Sequence, residues 1–207
     1  MVPPIPLVII ARLVLFLIDR HRSRDVLVGV LGASFAGTLV SDFYAAYNGL
    51  DCAKQRCLVH LLRELAKHRE ELPWQSVRAF IQPLIELFQD AIQLGKDREK
   101  LGRTAFDQAY RRLIDRFDDR MLRPHSRHPD CVRIWKRLYK LCDELFTFLD
   151  DPAVPADNHG TERDIRSSAA ARSDGGTHRA DGSAAAFARL KSVIVTGMKN
   201  QVHPVWD

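Results

Sequence analysis

From residue 58 onward, apolar side chains return every three or four positions. Leu58, Leu61, Leu62, Leu65 and Leu72 make a first stripe, and Val77, Phe80, Ile81, Leu84, Ile85, Phe88 and Ile92 a second. Phe106, Ala109, Tyr110, Leu113, Ile114 and Phe117 make a third, and Val132, Trp135, Leu138, Tyr139, Cys142, Leu145 and Leu149 a fourth. That period gathers each set on one face of an α-helix. Residues 59–150 are therefore expected to be mostly amphipathic helix with short polar breaks, and the stripes to be core without chemistry. Pro73 separates the first two stripes. Pro83, inside the second, is expected to kink or split it, because proline lacks the amide donor and crowds the preceding turn. Asp150-Asp151-Pro152 and Pro155 stop the fourth.

The chain before residue 58 reads differently. Leu13 to Ile18 is a short apolar run followed by the polar break Asp19-Arg20-His21-Arg22-Ser23-Arg24, as expected of a buried strand. Ser23 can cap a helix over Asp25 to Leu31, which Gly32 ends. Thr38-Leu39-Val40 reads as a second buried strand and Lys54 to Leu58 as another short one. Strand, helix, strand in that order predicts a parallel α/β sheet. Asp42 then stands at the carboxyl end of a strand, where open α/β sheets place their ligands. Phe43 to Tyr47 forms one helical turn, closed by Asn48-Gly49. Beyond Pro155, a short helix is expected over about Asn158 to Ser167, then a flexible Ser/Ala/Gly-rich run to Gly176. A last helix is expected over Ala184 to Lys199, with Phe187, Leu190, Ile194 and Met198 on one face.

Charge and composition change this picture little. The 207 residues carry a net charge of +5 with a pI near 9.2, which is compatible with nucleic acid and weak support for it. Four cysteines (Cys52, Cys57, Cys131 and Cys142) do not make a disulfide framework, so reduced thiols and a cytoplasmic location are expected. Val2 to Ile18 is strongly apolar, but Arg12 splits it, and no lysine or arginine precedes that run. It fits neither a membrane span nor a secretory signal well, and no membrane partner is expected.

The candidate chemistry lies near the end. Ala156-Asp157-Asn158-His159-Gly160-Thr161-Glu162-Arg163-Asp164-Ile165-Arg166 puts an acid in a first helical turn, then two arginines, then Asp174-Gly175-Gly176-Thr177-His178-Arg179. Glu162 there reads as a metal-binding carboxylate beside a DNA-contacting surface, or as an acid that only complements the helix dipole. Cys57 and His60 have half the spacing of a zinc site, which needs two more ligands. Otherwise Cys57 is packed and His60 hydrogen-bonds near the site.

Residues from about Arg22 to Gln201 resemble the catalytic region of bacterial DDE transposases of the insertion sequence sixty-six type. Ser41-Asp42-Phe43-Tyr44-Ala45-Ala46-Tyr47 resembles the segment around that family's second catalytic Asp, and Gln55-Arg56-Cys57-Leu58-Val59-His60 its Cys-x-x-His segment. Leu145 to Leu149, Asp157 to Arg166, Gly175 to Arg179 and Phe187 to Thr196 resemble its carboxyl-terminal signature. Each segment is weak alone, and their order makes the match.

The resemblance implies an α/β class, ribonuclease-H-like fold with a large helical insertion. It implies three carboxylates holding two divalent metals, Mg²⁺ or Mn²⁺, that assist in-line displacement at a phosphodiester. Asp42 matches the second catalytic Asp and Glu162 the catalytic Glu, both as metal ligands. Arg163, Arg166, Arg172, His178 and Arg179 are the expected DNA contacts, and Cys57, His60 and Asn158 the supporting residues. Arg166 shares the Glu162 face of a helix, so it either holds a phosphate or pairs with Glu162. The implied partners are transposon-end and target DNA, together with a second copy of the chain or an intact transposase.

The likeness has departures. Only Asp19 and Asp25 precede Asp42, and both fall in or beside a polar break rather than on a first strand. His159 stands where the family usually has a second Asn, and Ala169 to Asp174 lacks its lysine-rich pattern. The expected organisation is a leader outside the family over 1–11, a first part of the ribonuclease-H-like core over 12–58, the helical insertion over 59–150, and the final part of the core over 151–207. The expected function is that of a truncated transposase catalytic domain, inactive alone for want of the first Asp. The alternative is a non-catalytic DNA-binding remnant that modulates an intact transposase.

Overall fold

A computed structural model describes the backbone of residues 7–10, 13–16, 23–32, 34–72, 74–123, 126–160 and 181–201. Side chains are described from residue 23 to 160 within those ranges and from 186 to 201. The chain divides into two units. One comprises residues 1–34, 48–50 and 158–207, the other residues 35–47 and 51–157.

In the first unit, β1 (Leu7–Ile10) pairs antiparallel with β2 (Leu13–Phe16), Leu7 opposite Phe16 and Ile10 opposite Leu13. α1 (Arg24–Leu31) starts after Ser23, whose backbone is extended and whose side chain makes no capping bond. Gly32 ends it with φ +86°, a left-handed conformation that glycine adopts without a Cβ clash, and its amide donates to the Val28 carbonyl at 2.9 Å.

The last helix, α8 (Asp181–Lys199), packs along β2. Its buried positions are small ones. Ala188 and Ser192 are buried, while Leu190, Val193 and Met198 are exposed. Small residues at that four-residue spacing let one helix face approach its neighbour closely. The buried Ser192 hydroxyl is satisfied within the helix, donating to the Ala188 carbonyl at 2.7 Å.

The second unit holds a two-stranded sheet of β3 (Ser34–Ser41) and β4 (Asp51–Arg56). The pair is parallel: the amide of Cys57, just past the end of β4, donates to Ser41 at the end of β3 at 2.7 Å. A 3-10 turn over Ala45–Gly49 lies between the two strands. Among the described residues the parallel pairing is thus β3 with β4, whereas β2 pairs with β1. The whole is a mixed α/β chain dominated by helix.

The helices follow as α2 (Leu58–Glu71), α3 (Gln75–Lys96), α4 (Arg98–Leu101), α5 (Arg103–Met121), α6 (Pro129–Lys140) and α7 (Thr147–Asp150). The first three expected stripes are their buried faces: Leu58, Leu61 and Leu65 on α2, Phe80, Ile81, Leu84 and Phe88 on α3, Phe106, Leu113 and Phe117 on α5. One expectation is narrowed and one fails. Pro83 does not split α3, which runs unbroken from Gln75 to Lys96. Phe80, Ile81, Leu84, Ile85, Leu87 and Phe88 surround the proline with buried side chains, and that packing outweighs the missing backbone bond. The fourth stripe is not one helix. α6 stops at Lys140, a 3-10 turn follows over Cys142–Glu144, and α7 begins at Thr147.

α6 carries the clearest terminal signals. The His128 ring accepts from the Asp130 amide at 3.3 Å, and Pro129 fills the first helical position, where its missing N–H costs nothing.

α3 and α7 pack closely at Gly95. A Cβ there would lie 2.9 Å from the Phe148 ring, which is buried and cannot swing away. Gly95→Val is therefore expected to lower unfolding free energy by about 1–3 kcal/mol through overpacking. Urea denaturation checks this, and an unchanged midpoint would mean that α3 and α7 are not held at this distance.

Candidate functional site

Asp42 sits at the carboxyl end of β3, half-buried, where the strand gives way to a turn. Its Oδ1 accepts from the Tyr44 amide at 2.9 Å, an Asx-type turn that ties the carboxylate to the backbone two residues on. Its own carbonyl accepts from Arg56 Nη1 at 3.0 Å and from the Ser41 hydroxyl at 3.1 Å. The carboxylate therefore projects from backbone fixed on both sides.

Arg56 organises this corner. Its side chain is fully buried at the end of β4. Nε donates to Glu144 Oε2 at 2.5 Å, and Nη1 also reaches the Ser41 hydroxyl at 3.3 Å. A buried guanidinium needs a counter-charge and acceptors for its fork of donors, and Glu144, Ser41 and Asp42 supply them. Lys54 Nζ lies 4.0 Å from the same Glu144 carboxylate.

Gln55, also buried, bonds in both directions. Its Nε2 donates to the Leu145 carbonyl at 3.0 Å, and its Oε1 accepts from the Phe148 amide at 3.0 Å. The Thr147 hydroxyl donates to the Lys54 carbonyl at 2.6 Å. The end of β4 is thereby stapled to residues 144–148, and these bonds replace the helical ones that would have carried α6 onward.

Cys57 is the buried N-cap residue of α2, and the next amide, Leu58, donates to the Ala156 carbonyl at 3.0 Å. The ends of both parallel strands, the start of α2 and the Ala156-Asp157 segment therefore meet. His60 follows within the first turn of α2 and is half-buried. Asn158 is half-buried, and its Oδ1 is enclosed with no hydrogen-bond partner among the described residues. Glu162, Arg163, Arg166, Arg172, His178 and Arg179 lie outside the described residues.

Among the described residues, no group of three or more His, Cys, Asp or Glu side chains is arranged to hold a metal ion. Asp42 is a hard oxygen donor of the kind Mg²⁺ and Mn²⁺ prefer, but one such donor does not make a site. None of the four cysteines is in a disulfide. Burial pushes the Cys52 thiol up, against the opposing pull of Lys54, and burial also raises Cys131 and Cys142. No helix among the described residues is long and apolar enough to cross a membrane.

Arg56, which bonds the Asp42 carbonyl, and Glu144, which pairs with Arg56, brace the Asp42 turn and were passed over by sequence reasoning, Arg56 being quoted only within a motif. The available signal was Gln55-Arg56 directly before the apolar start of a helix, two large polar side chains where the chain must turn inward.

A family model, Transposase IS66 family, matches residues 9–186. This chain belongs to that family. The match takes in β3, Asp42, β4 and the whole run of helices from α2 to α7, as well as the segment holding Glu162. No curated protein and no solved structure matches the chain.

Proposed function

We propose that this IS66-family chain works in DNA transposition as part of a DDE catalytic region with a ribonuclease-H-like core, Asp42 and Glu162 serving as carboxylate ligands for Mg²⁺ or Mn²⁺. The observation that carries the reading is Asp42 itself, held at the carboxyl end of a parallel strand by the Tyr44 amide and the Arg56 guanidinium. The metal ions, when bound, would activate the attacking oxygen and stabilise the leaving one at a phosphodiester. This chain's own part is positional. Arg56 fixes the backbone from which Asp42 projects, and Cys57 locks β4 against β3 beside it. Arg163, Arg166, Arg172, His178 and Arg179 would contact DNA, with His60 and Asn158 in support.

A second reading, non-catalytic DNA binding that modulates an intact transposase, is favoured by one feature. Neither β1 (Leu-Val-Ile-Ile) nor β2 (Leu-Val-Leu-Phe) carries a carboxylate to complete a triad with Asp42 and Glu162.

Electron paramagnetic resonance of free Mn²⁺ tests the first reading. The chain is expected to take up Mn²⁺, and Asp42→Asn and Glu162→Gln each to abolish uptake. Equal uptake by all three proteins would overturn the assignment. Plasmid nicking in Mn²⁺ is expected to be absent for this chain alone. Nicking that vanishes in Glu162→Ala would overturn that expectation and point to another carboxylate, Asp19 first. No Mn²⁺ uptake together with salt-dependent DNA binding would favour the second reading.

A further inference from the structure

We infer that the outward face of α6 is a docking surface for single-stranded DNA that leads the strand towards Asp42. The inference rests on the proposed DNA-processing role and adds a surface to it. α6 reads Pro129-Asp130-Cys131-Val132-Arg133-Ile134-Trp135-Lys136-Arg137-Leu138-Tyr139-Lys140. Cys131, Ile134 and Leu138 are buried, which turns the opposite side of the helix outward. Arg133, Lys136 and Lys140 follow at three- and four-residue spacing on that side, and all three are exposed. Asp130 is the helix's one acid, and it pairs with Arg133 at 2.9 Å, so the positive excess on this face comes from Lys136 and Lys140.

Beside the cations, Trp135 and Tyr139 stack with ring centroids 5.6 Å apart and an interplanar angle of 26°. The indole N–H donates to the Met121 carbonyl at 3.2 Å, which fixes the Trp135 ring, and Tyr139 remains 60% exposed on top of it. An exposed aromatic plane backed by a second ring, next to a row of cations, matches an unpaired base and its flanking phosphates. Duplex DNA would use the cations and leave the ring idle.

Geometry also links this face to the candidate site. Arg137, one helical turn from Arg133, lies with its guanidinium 4.7 Å from the centre of the Phe43 ring, and Phe43 is the residue after Asp42. A second bond, from Arg137 to Glu64 at 2.6 Å, fixes that flank. The Asp42 turn therefore lies beside the flank of α6 that carries Arg137.

Fluorescence anisotropy with a labelled oligo(dT), across a KCl series, tests the surface in the full chain. Lys136→Gln/Lys140→Gln is expected to flatten the log–log salt slope by about 1.4, two phosphate contacts at about 0.7 each for single strands. Tyr139→Ala is expected to weaken oligo(dT) binding by about tenfold, with no change in slope and little effect on duplex DNA. All these side chains are solvent-facing, and unchanged circular dichroism melts confirm folding. Wild-type slope and affinity in both variants would overturn the inference. Arg163→Gln/Arg166→Gln separates it from the reading on which it rests. Loss of binding in that variant alone sinks the α6 surface and keeps the carboxyl-terminal contact. Loss in the α6 variants alone does the reverse. An unmodified chain that binds neither form of DNA sinks both.

Discussion

Glu144→Ala is expected to lower the unfolding free energy by about 3–5 kcal/mol, because it removes a carboxylate that pairs with a buried guanidinium. Arg56 has no exposed side-chain surface, and two other acceptors it reaches, the Ser41 hydroxyl and the Asp42 carbonyl, are neutral. Glu144 is only 22% exposed, so water does not screen the pair as it would on an open surface. The loss should appear as a lower urea midpoint with an unchanged slope. Arg56→Leu/Glu144→Leu is expected to recover most of it, since no charge is then left to bury. A loss below about 1 kcal/mol would mean that the pair behaves like an exposed ion pair. The single variant should also weaken Mn²⁺ uptake, because Arg56 holds the backbone of Asp42.

Phe88→Ala is expected to cost about 3–5 kcal/mol, the range for truncating a buried aromatic side chain. Phe88 is fully buried on α3, with the Phe117 ring 6.3 Å away on α5 and the Phe146 ring 6.0 Å away before α7. Phe117 and Phe146 in turn meet edge-on at 5.2 Å. One ring thus touches two segments that α3 must hold together, and its removal opens a void that none of the three can fill alone. Phe88→Leu, which keeps most of the volume, is expected to cost less than about 1.5 kcal/mol. Equal losses for the two variants, measured by urea denaturation, would show that the ring's shape and not its volume is what the site requires.

How much was legible beforehand differs by element. The stripes on α2, α3 and α5 are buried as their spacing predicts, and Asp42 stands at the end of β3 as the apolar run before it requires. α1 begins after Ser23 and ends at Gly32, both readable locally. The fourth stripe misled. Its apolar positions are helical in spacing, yet the chain breaks after Lys140, because Gln55 bonds residues 90 and 93 positions away in sequence. Pro83 does not split α3, because buried side chains on both sides of it keep the helix continuous. On α8 the buried positions among the described side chains are Ala188 and Ser192, small residues that an apolar stripe does not mark.

The sequence by itself determined the elements whose cause is local: helical period, glycine and proline at chain turns, the family membership carried by ordered motifs, and the residue types for metal and DNA chemistry. The tertiary structure alone decided that β3 pairs in parallel with β4, that Arg56 is buried against Glu144, and that α6 turns its cations outward while Arg137 reaches Phe43. The physical reason is range. A stripe or a cap is written within a few residues, but a buried charge or a broken helix is set by partners tens of residues away, whose approach only the folded chain specifies.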